Sequence, residues 1–108
     1  MTNKEILVAL KTDLGISVTA YDIRLEQIII AAEKEITAAG VTIPMDDNFV
    51  SISDASISQL VIMYAGWLWR RRDTGAPMPQ MVRRALNNAV FGQHMETSSE
   101  GINHGFSL

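Results

Sequence analysis

Between Ile57 and Arg72 the chain reads "ISQLVIMYAGWLWRRR", and no other run limits the possible folds as much. Wound as an α-helix at about 100° per residue, with Leu68 as reference, it puts Ile57, Val61 and Tyr64 within roughly 40° of that direction. Leu60 and Trp67 fall to one side, and Ile62 and Trp69 to the other. Only Gln59, Met63, Gly66 and Arg70 line the back, so the apolar arc exceeds half the circumference. A surface helix of a monomer carries a narrower stripe. This one is therefore either central to a bundle or also buried between subunits. Ser53 or Asp54 is its expected cap, and it runs to about Arg72.

Three further helices are readable around it. Thr2 and Glu5 have the spacing of a capping box, Ile6, Leu7, Leu10 and Leu14 share one face, and Gly15 is a natural stop. Thr19 and Asp22 give a second start signal, followed by a stripe of Leu25, Ile28, Ile29, Ala32, Ile36 and Ala39 that Gly40 ends. Glu26, Glu33, Lys34 and Thr37 are expected on the opposite side. Residues 41–52, with Pro44 and the polar Asp46, Asp47 and Asn48, read as a long loop or a short hairpin. In "DTGAPMP", Gly75 suits a left-handed backbone and Pro79 the first turn of a fourth helix. Met81, Val82, Ala85, Leu86, Ala89 and Val90 should form that helix's buried face, which ends near Gly92. Residues 93–108 are polar, rich in Ser and Gly and aperiodic, the pattern of a flexible tail that a partner could order. The expected fold is all-α: a four-helix domain over residues 1–92, a loop or hairpin between the second and third helices, and an extended tail.

Charge is divided along the chain. Residues 1–60 hold four basic against nine acidic side chains, residues 61–93 hold five arginines against Asp73, and Glu96 and Glu100 follow, which gives −3 in total. One acidic and one basic half attract each other within a subunit or between copies. With no cysteine, a disulfide framework and a thiolate metal site are excluded. The N-terminus lacks the pattern of a signal peptide, and "LVIMYAGWLW" is about half the roughly 20 residues needed to cross a bilayer, so a soluble protein is expected.

No catalytic constellation is present. His94 and His104 are the histidines, both beyond the last periodic helix and without a nucleophile elbow, phosphate loop or metal-spaced cluster beside them. Neither enzyme activity, cofactor nor metal is expected. Asp46, Asp47 and Asn48 lack the oxygen-ligand spacing of a calcium loop. Arg70, Arg71 and Arg72 beside Trp67 and Trp69 suit phosphate pairing and base stacking, the alternative of a small helical DNA-binding regulator. A pI of about 5.2 argues against DNA binding by the chain alone. The competing reading makes the tryptophans packing residues and pairs the arginines with carboxylates such as Glu33, Glu35, Asp46 or Asp47.

Four segments, "EILVALKTDLGI", "YDIRLEQIIIAAEKEITAAGV", "SQLVIMYAGWLWRRRDTGAPMP" and "MVRRALNNAVFG", taken in order over residues 4–92, carry a resemblance. The chain resembles the small head-tail connector proteins, also called adaptor or DNA-packaging proteins, of long-tailed bacteriophages and prophages. That resemblance implies a non-enzymatic helical subunit of a ring, typically twelvefold in the virion, assembled in the host cytoplasm. The ring would sit under the portal protein, extend the DNA channel without sequence-specific binding, and dock stopper or tail-completion proteins. Its subunit interface would draw on Trp67, Trp69, Arg70, Arg71, Arg72, Asp46, Asp47 and Glu33. The tail, through Phe106 and Leu108, would reach the portal.

Overall fold

A computed structural model describes the backbone of residues 1–43, 45–46, 49–50 and 55–106 and the side chains of residues 1–43, 55–72 and 74–93. The fold is all-α, with helices α1 (Asn3–Leu14), α2 (Asp22–Ala38), α3 (Ala55–Thr74) and α4 (Gln80–Phe106). Between α2 and α3, β1 (Met45–Asp46) pairs antiparallel with β2 (Phe49–Val50), Met45 opposite Val50 and Asp46 opposite Phe49. This corresponds to the hairpin alternative. The expected caps at Ser53 and Asp54 lie outside the described residues.

The capping box at Thr2 forms: the Glu5 amide donates to Thr2 Oγ1 at 3.3 Å and the Thr2 amide donates to Glu5 Oε1 at 3.1 Å. Two backbone donors that a helix start leaves free are thereby satisfied, an arrangement worth about 1 kcal/mol. At the other end Gly15 adopts φ 72°, and its amide reaches the carbonyls of Lys11 and Thr12. The second start signal works differently from the sequence reading. Tyr21 occupies the cap position of α2 without a side-chain bond, and the Asp22 amide takes the Thr19 carbonyl. Asp22 turns its carboxylate to Lys11 Nζ, 2.7 Å away. A charged partner across the α1–α2 turn, added to the favourable place of an anion in a first helical turn, outcompetes the local cap.

Of the two roles open to the apolar run, α3 takes the central one: it packs against α1, α2 and α4. Ile57, Leu60, Val61, Ile62, Tyr64, Ala65 and Trp67 are buried with Ile6 and Leu10 of α1 and Leu25, Ile29, Ala32 and Ile36 of α2. Burying each large aliphatic side chain is worth on the order of 2 kcal/mol. On the nominal back of α3, Gln59 and Arg70 are exposed, but Gly66 is buried because it admits Leu10 closely: a Cβ there would lie 3.8 Å from Leu10 Cδ1.

Three expected placements are corrected. Glu33 is buried, at 6% exposure; it sits only about 80° around α2 from Leu25, on the flank that α1 covers. Ala39 is exposed because the helix ends there and Ala39 serves as its C-cap. Met81 is 74% exposed, since it lies about 100° from Val82 and off the core-facing arc. The fourth helix also passes Gly92 and continues to Phe106. A single helical glycine costs about 1 kcal/mol against alanine, and Gln93 holds this turn: it accepts from the Thr42 amide at 2.7 Å and donates to the Thr42 carbonyl at 3.1 Å.

Candidate functional site

The Trp-Arg stretch folds into a corner that largely satisfies itself. The Trp67 indole N–H is shared between the carbonyls of Ala76 and Pro77, at 3.2 and 3.1 Å, and so ties the end of α3 to the loop that follows. Gly75, at φ 64°, turns that loop, and its amide caps the Arg71 carbonyl at 2.8 Å. Tyr64 meets Trp67 edge to face at 5.4 Å, and Tyr21 meets Trp69 likewise at 5.5 Å. The guanidinium of Arg72 lies 3.5 Å from the Trp69 ring centroid and donates to the Trp69 carbonyl at 2.7 Å. Arg71 lies over Trp67 at 5.1 Å. Such contacts are worth about 0.5–1 kcal/mol each at exposed sites. Arginines at the last turn also complement the negative end of the helix dipole.

Arg70 points elsewhere. With Asp13 it rims an apolar cleft of about 200 Å³ lined by Leu10, Leu14, Met63 and Val82. That volume falls short of the roughly 300 Å³ at which ligand sites begin. Tyr64 sits beside both a carboxylate and an arginine. Burial raises its phenol pKa first, and the hydrogen-bonded Glu35 raises it further, while Arg71 pulls it down.

Glu33 does not join the arginines. Asn3 Nδ2 donates to Glu33 Oε1 at 3.2 Å, while Glu33 Oε2 and Asn3 Oδ1 are buried without hydrogen-bond partners. Loss of hydration outweighs the Asn3 bond and raises the Glu33 pKa. Glu5, accepting from the Thr2 backbone and then the Thr2 hydroxyl, has its pKa lowered.

The outer surfaces carry two features of their own. Ile23 and Ile30, seven residues apart on the far side of α2, are 74% and 46% exposed, and Val8 of α1 is 63% exposed. On α4, Gln80, Arg83, Arg84, Asn87 and Asn88 line one open groove, with Phe91 exposed one turn further on.

No protein-family model matches the chain. No curated protein and no solved structure matches it either. The site must therefore be judged on its own geometry. Trp67, Trp69, Arg71 and Arg72 come together at one corner, Arg70 faces the α1 side, and Glu33 lies in the α1–α2 seam. Asp46 belongs to β1, and Phe106 is the last residue of α4. The side chains of Asp46 and Phe106, and all of Asp47 and Leu108, lie outside the described residues. Among the described residues no cluster of three or more His, Cys, Asp or Glu is placed to hold a metal, and no helix is long and apolar enough to cross a membrane. Sequence reasoning missed the Asn3–Glu33 contact and the α4 groove. The second was signalled by amide and arginine side chains recurring three and four residues apart.

Proposed function

We propose that this chain is a structural connector subunit of a tailed phage, forming a ring beneath the portal that extends the DNA channel and docks stopper or tail-completion proteins. The observation that carries the reading is the exposed apolar surface. Ile23 and Ile30 share a face of α2 and are 74% and 46% exposed, and Val8, 63% exposed, adds to the exposed apolar area of the same helical pair. Large exposed aliphatic side chains at heptad spacing suit docking against a second protein surface.

Two further points support it. Each of the four segments that resemble connector proteins falls on a different helix, although α4 continues fourteen residues past the fourth segment. The acidic first part and basic second part of the chain suit head-to-tail contacts, which are heterologous and form a ring where the rotation between subunits closes. The self-satisfied Trp-Arg corner then acts as a brace that sets the direction of α4.

Native mass spectrometry of the purified chain, alone and with a portal assembly, tests this. A closed oligomer or a portal-bound ring is expected, and Ile23→Glu with Ile30→Glu should abolish it while leaving helicity intact. A strict monomer that also fails to bind portal removes the proposal.

A further inference from the structure

The connector reading leaves the outer face of α4 without a role. Gln80, Arg84, Asn87 and Phe91 lie within about 40° of the direction opposite Val82, and Arg83 and Asn88 flank them. All six are exposed, and neither arginine forms an ion pair with another described residue. No aspartate or glutamate occurs between Thr74 and Met95, so the positive charge of this edge is not offset along the helix. The acidic side chains that give the chain its negative total are concentrated in residues 1–60.

The composition of the face narrows its occupant. An acidic protein surface calls for cations; here two guanidiniums stand beside three carboxamides, each of which donates and accepts at once. Arginine on phosphate or guanine, and asparagine or glutamine on adenine, are the pairings that read duplex DNA. A helix about 10–12 Å across fits a major groove about 12 Å wide. An exposed phenyl at the end of the row suits a thymine methyl.

We infer that the outer face of α4 is a DNA-contacting surface, with Arg83 and Arg84 on phosphates and Gln80, Asn87 and Asn88 on sugar and base edges. This goes beyond the connector reading and does not depend on it. Contact would be weak and salt-sensitive, as suits an acidic chain with one basic edge.

Fluorescence anisotropy of the full chain with a labelled duplex of about 20 base pairs, titrated with salt, tests it. Each phosphate contact contributes about 0.9 to the slope of log affinity against log salt, so Arg83→Gln with Arg84→Gln should lower that slope by about 1.8. Raising salt from about 50 to 200 mM should then cost the variant on the order of tenfold less affinity than the parent. Arg71→Gln with Arg72→Gln, whose parent side chains lie over tryptophans, should leave the slope unchanged. Circular dichroism checks that both variants stay folded, and sedimentation velocity follows self-association separately. Three results overturn the inference: no binding at low salt, an equal loss of slope in the Arg71 and Arg72 variant, or an α4 variant that loses self-association while keeping its DNA slope. The last would give the face to the acidic surface of a second copy instead.

Discussion

Replacing Glu33 with glutamine should stabilise the protein at neutral pH and remove part of its pH dependence. In the parent, Glu33 is 6% exposed, and its Oε2 and Asn3 Oδ1 are each buried without a hydrogen-bond partner. A glutamine of the same shape keeps an acceptor for Asn3 Nδ2 and puts an uncharged amide where the buried, unpaired carboxylate oxygen stood, so no charge is left desolvated. A buried group left unsatisfied costs about 1–3 kcal/mol, more when charged. Asn3 is itself half-buried, so the lower part of that range, about 1–2 kcal/mol, is the expected gain. The sign with pH follows from linkage. Because the folded-state pKa of Glu33 is raised, the folded chain holds more protons than the unfolded one between the ordinary glutamate value and the raised one. Its contribution to stability is therefore greatest below about pH 4.3 and is lost as pH rises through the folded pKa. Thermal unfolding of parent and Glu33→Gln from acidic to neutral pH reads this directly. The variant should melt higher at neutral pH, by roughly 4–8 °C per kcal/mol for a domain of this size, and the gap should close on acidification. A variant that melts lower at neutral pH, or a gap that does not change with pH, refutes the argument.

Other substitutions test the fold at single points. Gly66→Ala should stabilise by about 0.5–1 kcal/mol, since Gly66 is inside α3 and the new Cβ would make ordinary contact with Leu10 at 3.8 Å; a loss in denaturant unfolding would mean that α1 and α3 pack more tightly than described. Gly15→Ala should cost about 1 kcal/mol from backbone strain alone, because φ is 72° and nothing lies within 4 Å of the added carbon. Trp67→Phe should cost on the order of 1–2 kcal/mol and speed proteolysis near Gly75, as the indole donor to Ala76 and Pro77 is lost; unchanged cleavage would show that the loop does not depend on that bond.

What the sequence made legible was whatever local chemistry decides. The Thr2–Glu5 box and the turns at Gly15 and Gly75 depend on residues a few positions apart, and each forms where the spacing puts it. The width of the α3 arc likewise required a helix with neighbours on several sides. Glu33 was misplaced because a charged side chain was assigned to water by type, although its wheel position borders Ile29 and Ile36; only the arrival of α1, thirty residues away in sequence, buries it. The Thr19 cap lost to an ion pair with Lys11, again a partner from another helix. Gln93, with no periodicity to mark it, joins Thr42 across a gap of 51 residues. Contacts of that range leave no pattern in one sequence.

The arginine triplet shows why placement matters more than composition. Three adjacent arginines left phosphate pairing and carboxylate pairing both open; in the structure two of them lie over the indoles that precede them and the third rims the cleft beside α1. A guanidinium held against an indole and a carbonyl gives up part of that packing to reach a phosphate, whereas Arg83 and Arg84 give up nothing comparable. The five arginines of residues 61–93 therefore separate into a bracing pair, Arg71 and Arg72, a third on the cleft rim, Arg70, and an available pair on α4, Arg83 and Arg84. An apolar face on α2 for a neighbour and a donor-rich face on α4 for DNA draw on different residues. Each can be removed without the other, so a variant that loses assembly but keeps DNA affinity, together with its converse, separates the two roles in one protein.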